Sequence, residues 1–175
     1  MLATTARTLA ARLRDTGSPR DRVTRMRRAV PSDPPAAGLI DTLPERPSGG
    51  ILNPAAVPVS VHWDGASLVS ADVVIDELFA GGLGRAHGGV VAALFDDVLS
   101  HFLTALGVPA VSRRLTVDYD SPTPTGVAVT IRGTLVARND RELVIAGEIR
   151  CHDRVTARAE LTMAIVDEDR FSQYQ

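Results

Sequence analysis

The sequence has no lysine, a single cysteine, few aromatic residues (4%) and no unbroken apolar run long enough to cross a bilayer. Each absence excludes something. With Cys151 alone, no intramolecular disulfide can form and no CxxC-type zinc site exists, and one isolated thiol suits a reducing cytosol. A helical membrane span needs about 20 largely apolar residues, which charged residues interrupt here, so no membrane span is expected. The histidines His62, His87, His101 and His152 show no metal-ligand spacing, and no metal or cofactor is expected. A P-loop and a complete GxGxxG fingerprint are both missing, since Gly82-Leu83-Gly84 lacks the third glycine and a preceding βαβ context.

What is present is enough for one domain with a real core: 175 residues, 45% hydrophobic and 23% charged. The net charge of −2 hides a split. Residues 1–30 carry Arg7, Arg12, Arg14, Arg20, Arg22, Arg25, Arg27 and Arg28 against Asp15 and Asp21, a local net of +6, so the remainder carries −8. Such a start fits a transit segment, a membrane-surface helix, a polyanion-binding arm or a solvated helix folded back on an acidic body. The last is preferred, because Leu2, Leu9 and Leu13 make only a narrow stripe with no aromatic anchor. Residues 31–58 are dense in Pro and Gly and read as a connecting or wrapping segment. The expected organisation is an Arg-rich segment and Pro-rich linker over 1–50, a folded domain over 51–170 and a short tail over 171–175.

From about residue 58 the hydrophobic period becomes two. Val59, Val61 and Trp63 alternate, Leu68 to Ile75 follows, and Leu115, Val117 and Tyr119 share one face of a later strand. Three long strands come next: one carrying Val127, Val129, Ile131 and Leu135, one carrying Leu143, Ile145, Ile149 and Cys151, and one carrying Val155, Ala157, Ala159, Leu161, Met163 and Ile165. Turn chemistry at Asn139-Asp140-Arg141 and His152-Asp153-Arg154 makes them an antiparallel meander. One helix interrupts the strands. It starts after Gly81-Gly82-Leu83-Gly84-Arg85-Ala86-His87-Gly88-Gly89 and runs to about Leu106, where Gly107 and Pro109 stop it. Val91, Leu94, Phe95, Val98, Leu99, Phe102 and Leu106 fall on one stripe, so the expected fold class is α+β: a curved antiparallel sheet around one central helix.

The chemistry points to that helix. Two glycines at its start cost about 1 kcal/mol each relative to Ala, so something should be gained there. Glycine lets a ligand approach the backbone, and first-turn N–H groups lack internal partners and can donate to an oxygen developing negative charge; the alternative is a turn that merely admits the chain to a crowded core. Asp96 and Asp97 sit mid-helix, where a carboxylate is a poor helix former. Asp97 has His101 four residues on for an ordinary side-chain pair. Asp96 has Ala92, Ala93, Leu99 and Ser100 at neighbouring turn positions. It is either a carboxylate held reactive by desolvation or a solvated acid on a grazing face. Seven residues of helix put about 10 Å between Gly89 and Asp96, so one helix cannot bring both to the same reacting group; two antiparallel copies can, which predicts a homodimer with two symmetric sites. Ser112, at the start of the next strand, either orients water or is a turn residue. Arg113, Arg114, Arg138 and Arg141 border strands and are either phosphate contacts or plain solvated side chains.

His87-Gly88-Gly89, the helix with Asp96 nine positions after the His, and the downstream run Ser112-Arg-Arg-Leu-Thr-Val-Asp-Tyr-Asp-Ser-Pro122 together resemble the hotdog-fold acyl-CoA thioesterases of the phenylacetate-pathway type, including the thioesterase-superfamily-member branch. The resemblance covers about residues 58–167. It implies the hotdog fold, a dimer or dimer of dimers, and hydrolysis of an acyl-CoA to a free acid and coenzyme A without a further cofactor. It also implies Asp96 as general base or nucleophile, backbone N–H groups at Gly88 or Gly89 following His87 as donors to the thioester carbonyl, and Ser112 as an aid in holding water. One position departs from it: Gly81, six residues before His87, stands where several members carry Asn or Gln. A non-hydrolytic acyl-CoA or acyl-carrier binding module on the same fold is the alternative. An enoyl-CoA hydratase would want a matched Asp/His pair at the helix start, and too few residues precede the Pro-rich segment for a helix-turn-helix, so nucleic acid is not an expected partner.

Overall fold

The computed structural model describes residues 35–40, 46, 48–50, 53 and 56–166. The Arg-rich segment over 1–30 and the tail over 171–175 lie outside these residues. Alternating apolar residues become strands as the period predicts. The strands are β1 Gly38–Ile40, β2 Val61–Trp63, β3 Leu68–Val74, β4 Ala80–Gly82, β5 Arg85–Ala86, β6 Ala110–Asp118, β7 Ala128–Arg138, β8 Glu142–Cys151 and β9 Arg154–Ile165. Seven of them form one antiparallel sheet in the order β1-β2-β3-β7-β8-β9-β6, and β4 and β5 make a separate small hairpin. The expected meander is β7-β8-β9. The chain enters β6 before the meander and pairs it with β9, so β6 ends up at the sheet's far edge.

The expected helix is there, in two pieces rather than one: α1 Gly88–Leu99 and α2 Phe102–Leu106. Val91, Leu94, Phe95, Val98, Leu99 and Phe102 are all buried against the sheet. By length and composition Gly88–Leu106 would pass for a membrane span, yet the sheet wraps it and it forms the core of the domain. The helix nests because the sheet has a shallow trough. Gly133 in β7 lies opposite Gly147 in β8, which lies opposite Ala159 in β9. A Cβ on Gly147 would sit 3.0 Å from Phe95 and Leu99, and one on Gly133 would strike Leu99. Two missing side chains and one methyl in a row across three strands therefore make room for the bulk of the helix, which is how a sheet can pack this closely on a helix rich in Leu and Phe.

The interruption at Ser100 and His101 has a side-chain cause. The Asp97 carbonyl, which a regular helix would give to the His101 N–H, instead accepts from Ser100 Oγ (2.9 Å) and His101 Nδ1 (2.8 Å). The His101 N–H turns to Val98 O at 3.2 Å. Side chains inserted into the hydrogen-bond ladder break helices in this way. The second piece ends at Gly107, whose φ of 62° is the left-handed cap that the sequence signals.

Candidate active site

His87 opens α1. Its N–H is held by Phe79 O at 2.8 Å, and its Nδ1 accepts from the Gly89 N–H at 3.0 Å, so the ring caps the helix. Of the two glycine amides proposed as oxyanion donors, Gly89 is thus engaged by His87. The Gly88 N–H makes no hydrogen bond among the described residues. Tyr119, at the end of β6, donates its hydroxyl to Gly88 O at 2.9 Å, and its ring lies where a Cβ on Gly88 would come within 3.4 Å. An aromatic side chain is thus laid across position 88 at contact distance. The sequence showed Tyr119 only as a strand residue; the signal for its role is the Tyr-x-x-Pro step at the strand's end.

Asp96 and Ser112 meet. Ser112 Oγ donates to Asp96 Oδ1 at 2.7 Å, across sixteen residues of sequence. A β-bulge between Ser112 and Arg114 makes this possible. Strict alternation would place Arg113, not Ser112, on the face shared by Leu115 and Val117; the extra residue turns Ser112 toward the helix. Asp96 is half-buried, and its Oδ2 takes no partner among the described residues.

Asp97 lies on another face. Its carboxylate is buried and pairs with Arg46, Nε to Oδ1 at 2.6 Å. The expected side-chain pair with His101 does not form: the ring takes the Asp97 carbonyl instead. Arg46 also reaches the Asp97 carbonyl at 3.0 Å, Ser100 Oγ, and His101 Nε2 at 3.4 Å. Because a guanidinium only donates, Nε2 accepts and the proton sits on Nδ1. Burial, and then the Arg46 charge, push the His101 pKa down to about 3, so the ring is neutral.

The four arginines divide. Arg113 lies 3.8 Å from Glu142 Oε2 and is exposed. Arg114 is exposed on the edge strand β6, Arg138 ends β7, and Arg141 sits in the β7–β8 turn, its N–H bonded to Asn139. None of the four touches the Asp96–Ser112 pair. Gly81 packs against the helix start, where a Cβ would come within 2.8 Å of His87 Cα. A longer side chain at this position would force the β4–β5 hairpin away, so the departure from the family pattern is built into the local packing.

Residues 83–158 match the family model of the thioesterase superfamily. Among solved structures, the chain is similar to a crystallised thioesterase superfamily protein, with 26% identity and a TM-score of 0.68 over 94% of this chain and 80% of that one. It is also similar to a hypothetical thioesterase from Streptococcus pneumoniae solved with coenzyme A (22% identity, TM-score 0.54, 57% of this chain and 79% of that one). The PaaI protein of the E. coli phenylacetic acid degradation operon is a third (18%, 0.53, 56% and 76%). A comparison with curated proteins finds no match. The fold is the hotdog of the thioesterase superfamily, and the resemblance to the phenylacetate-pathway type holds.

Proposed function

We propose that the protein hydrolyses acyl-CoA thioesters to a free carboxylic acid and coenzyme A. The observation that carries this reading is the Ser112-to-Asp96 hydrogen bond, which fixes one carboxylate oxygen and leaves the other without a partner among the described residues. As general base, Asp96 takes a proton from water while the water oxygen adds to the thioester carbonyl; the tetrahedral oxyanion receives the Gly88 N–H and collapses to the acid and the coenzyme A thiolate. As nucleophile, the same carboxylate adds to the thioester carbonyl and the C–S bond breaks, releasing coenzyme A thiolate and leaving a mixed anhydride, which water opens to the free acid and the Asp96 carboxylate. His87 holds the donor in place by capping the helix. Arg113, Arg114, Arg138 and Arg141 are proposed as contacts to the nucleotide phosphates.

The site is proposed to form in a homodimer, alone or as a dimer of dimers. Gly88 and Asp96 lie eight residues apart on one helix, about 12 Å along the axis, so donor and base for one substrate come from two copies. The edge strand β6 supports this. Its nine residues carry only one that is fully buried, although Leu115 and Val117 face the core side, and Val111 is 41% exposed. An edge this long, with Leu115 and Val117 only partly covered, has unpaired backbone groups along its free side, and a second β6 would pair with them.

The test is coenzyme A release, followed with a thiol reagent across short, medium, long-chain and aryl acyl-CoAs, for the wild type and Asp96→Asn. Hydrolysis by the wild type that is lost in the variant supports the reading. No hydrolysis by either, with acyl-CoA still raising the melting temperature, overturns it in favour of a binding module.

A further inference from the structure

Between β1 and β2, described residues from Arg46 to Val57 hold on to the helix. Arg46 makes four polar contacts with Asp97, Ser100 and His101, from more than fifty residues away in sequence. Gly49 is tight against the Asp97 carboxylate, where no Cβ fits. Backbone bonds join Gly50 N–H to Arg46 O, Asn53 N–H to Gly50 O and Ala56 N–H to Asn53 O, and the Val57 N–H donates to Ser48 O at 3.0 Å. Ala56, Val57 and Val59 are buried.

Beneath this loop lies a cavity of about 220 Å³, lined by Ser48 and Val57 from the loop, by His87, Gly89, Val90, Ala93 and Leu94 from the helix and its cap, and by Phe79. That volume is roughly seven times the ~30 Å³ share of a liquid water. One wall therefore belongs to the helix start that carries the proposed oxyanion donor, and the facing wall belongs to a segment outside the stretch matched by the family model, which begins at residue 83. The lining is apolar except for Ser48 and His87, and His87 Nδ1 is already occupied by Gly89.

We propose that this cavity receives the acyl group of the thioester, and that Ser48 and Val57, held in place by Arg46, set which acyl groups are accepted. The proposal rests on the thioesterase reading and specifies its substrate class: a short aliphatic or aryl acyl group rather than a long chain. Arg46 acts as a positioning residue. Its guanidinium neutralises Asp97 and fixes the loop about one helical turn beyond the cavity, without contact to the substrate.

The experiment measures kcat/KM for a series from acetyl- to dodecanoyl-CoA plus phenylacetyl-CoA, and takes the ratio of octanoyl- to acetyl-CoA as the readout. Ser48→Phe, which fills the cavity, is expected to lower this ratio by at least about tenfold, and Val57→Ala, which enlarges it, to raise the ratio; a single methylene in an apolar pocket is worth about 10- to 200-fold. Removing Arg46 alone would strand the buried Asp97 charge, so the anchor is tested in Arg46→Leu/Asp97→Leu, which leaves no charge behind. This variant is expected to flatten the chain-length profile through KM, whereas a purely structural role would lower all substrates alike. An unchanged ratio in Ser48→Phe and Val57→Ala overturns the proposal while leaving the thioesterase reading standing. If the wild type hydrolyses nothing, that reading falls, and the same series read as melting-temperature shifts still decides the cavity: chain-length dependence altered by the two substitutions supports it, and dependence unaltered overturns it.

Discussion

Asp96 and Asp97 are neighbours about 100° apart around one helix, and the two faces they mark do opposite things. The Asp96 face is half-open, bounded by an edge strand, and holds its carboxylate with one hydroxyl. Around Asp97 the surface is closed, and a guanidinium from a distant segment bonds Asp97, Ser100 and His101 together. Even there one atom is left over: Asp97 Oδ2 is buried with no hydrogen-bond partner among the described residues. Two identical side chains in adjacent positions thus meet different surroundings, a single hydroxyl for Asp96, the proposed base or nucleophile, and a guanidinium for Asp97.

The largest effect that sharpens this contrast is on rate. Asp96→Asn removes the base or nucleophile and should lower acyl-CoA hydrolysis by about 10²- to 10⁴-fold, the range of a positioned proton-transfer group. The melting temperature should barely move. An active Asp96→Asn protein would erase the distinction between the faces. Asp97→Asn should do the reverse. Breaking a buried ion pair costs about 3–5 kcal/mol, and the 19% exposure of Arg46 puts this one at the lower end. At about 2–4 °C per kcal/mol for a chain of this size, the midpoint should fall by roughly 6–12 °C. Hydrolysis per folded molecule should fall far less than in Asp96→Asn.

His101 provides a pH signature of the closed face. Above pH 6.5 the ring is neutral folded or unfolded and contributes nothing to the pH dependence. Below that value the unfolded chain takes a proton that the folded ring, with its pKa lowered to about 3, refuses. Stability is therefore lost as pH falls from 6.5 toward 3, with a slope approaching about 1.4 kcal/mol per pH unit. Urea midpoints at pH 7 and pH 5 for the wild type and His101→Gln would measure it; equal losses in both would show that the ring does not carry the effect.

Much of the open face was legible in the sequence, and little of the closed one. Asp96, the glycine pair, the capping His87 and Ser112 all fall within one run of about thirty residues, where motif and helical spacing are enough to line them up. The apolar stripe of α1 and the long strands β7, β8 and β9 follow from periods that a single segment displays. Arg46 displays none. It lies in a Pro- and Gly-rich stretch with no periodicity, and its partners are fifty-one to fifty-five residues away. The trough of Gly133 and Gly147 is equally hidden, because it exists only once β7 and β8 are in register. The break in the helix was missed for a related reason. Ser100 and His101 are compatible with a helix, and only their side-chain bonds to the Asp97 carbonyl divert the ladder.

The bulge in β6 sets the smallest and sharpest of these tests. Ser112 faces Asp96 only because one extra residue sits between it and Arg114, so its contribution separates from that of the strand that carries it. Ser112→Ala removes one hydrogen bond to a charged acceptor, worth about 1.5–3 kcal/mol, and should lower kcat/KM by roughly ten- to a hundredfold without altering the melting temperature. Ser112→Thr keeps the hydroxyl and should recover most of the loss. If Ala and Thr are equally impaired, packing at the bulge matters more than the bond, and the open face would be held by shape, as the closed one is held by charge.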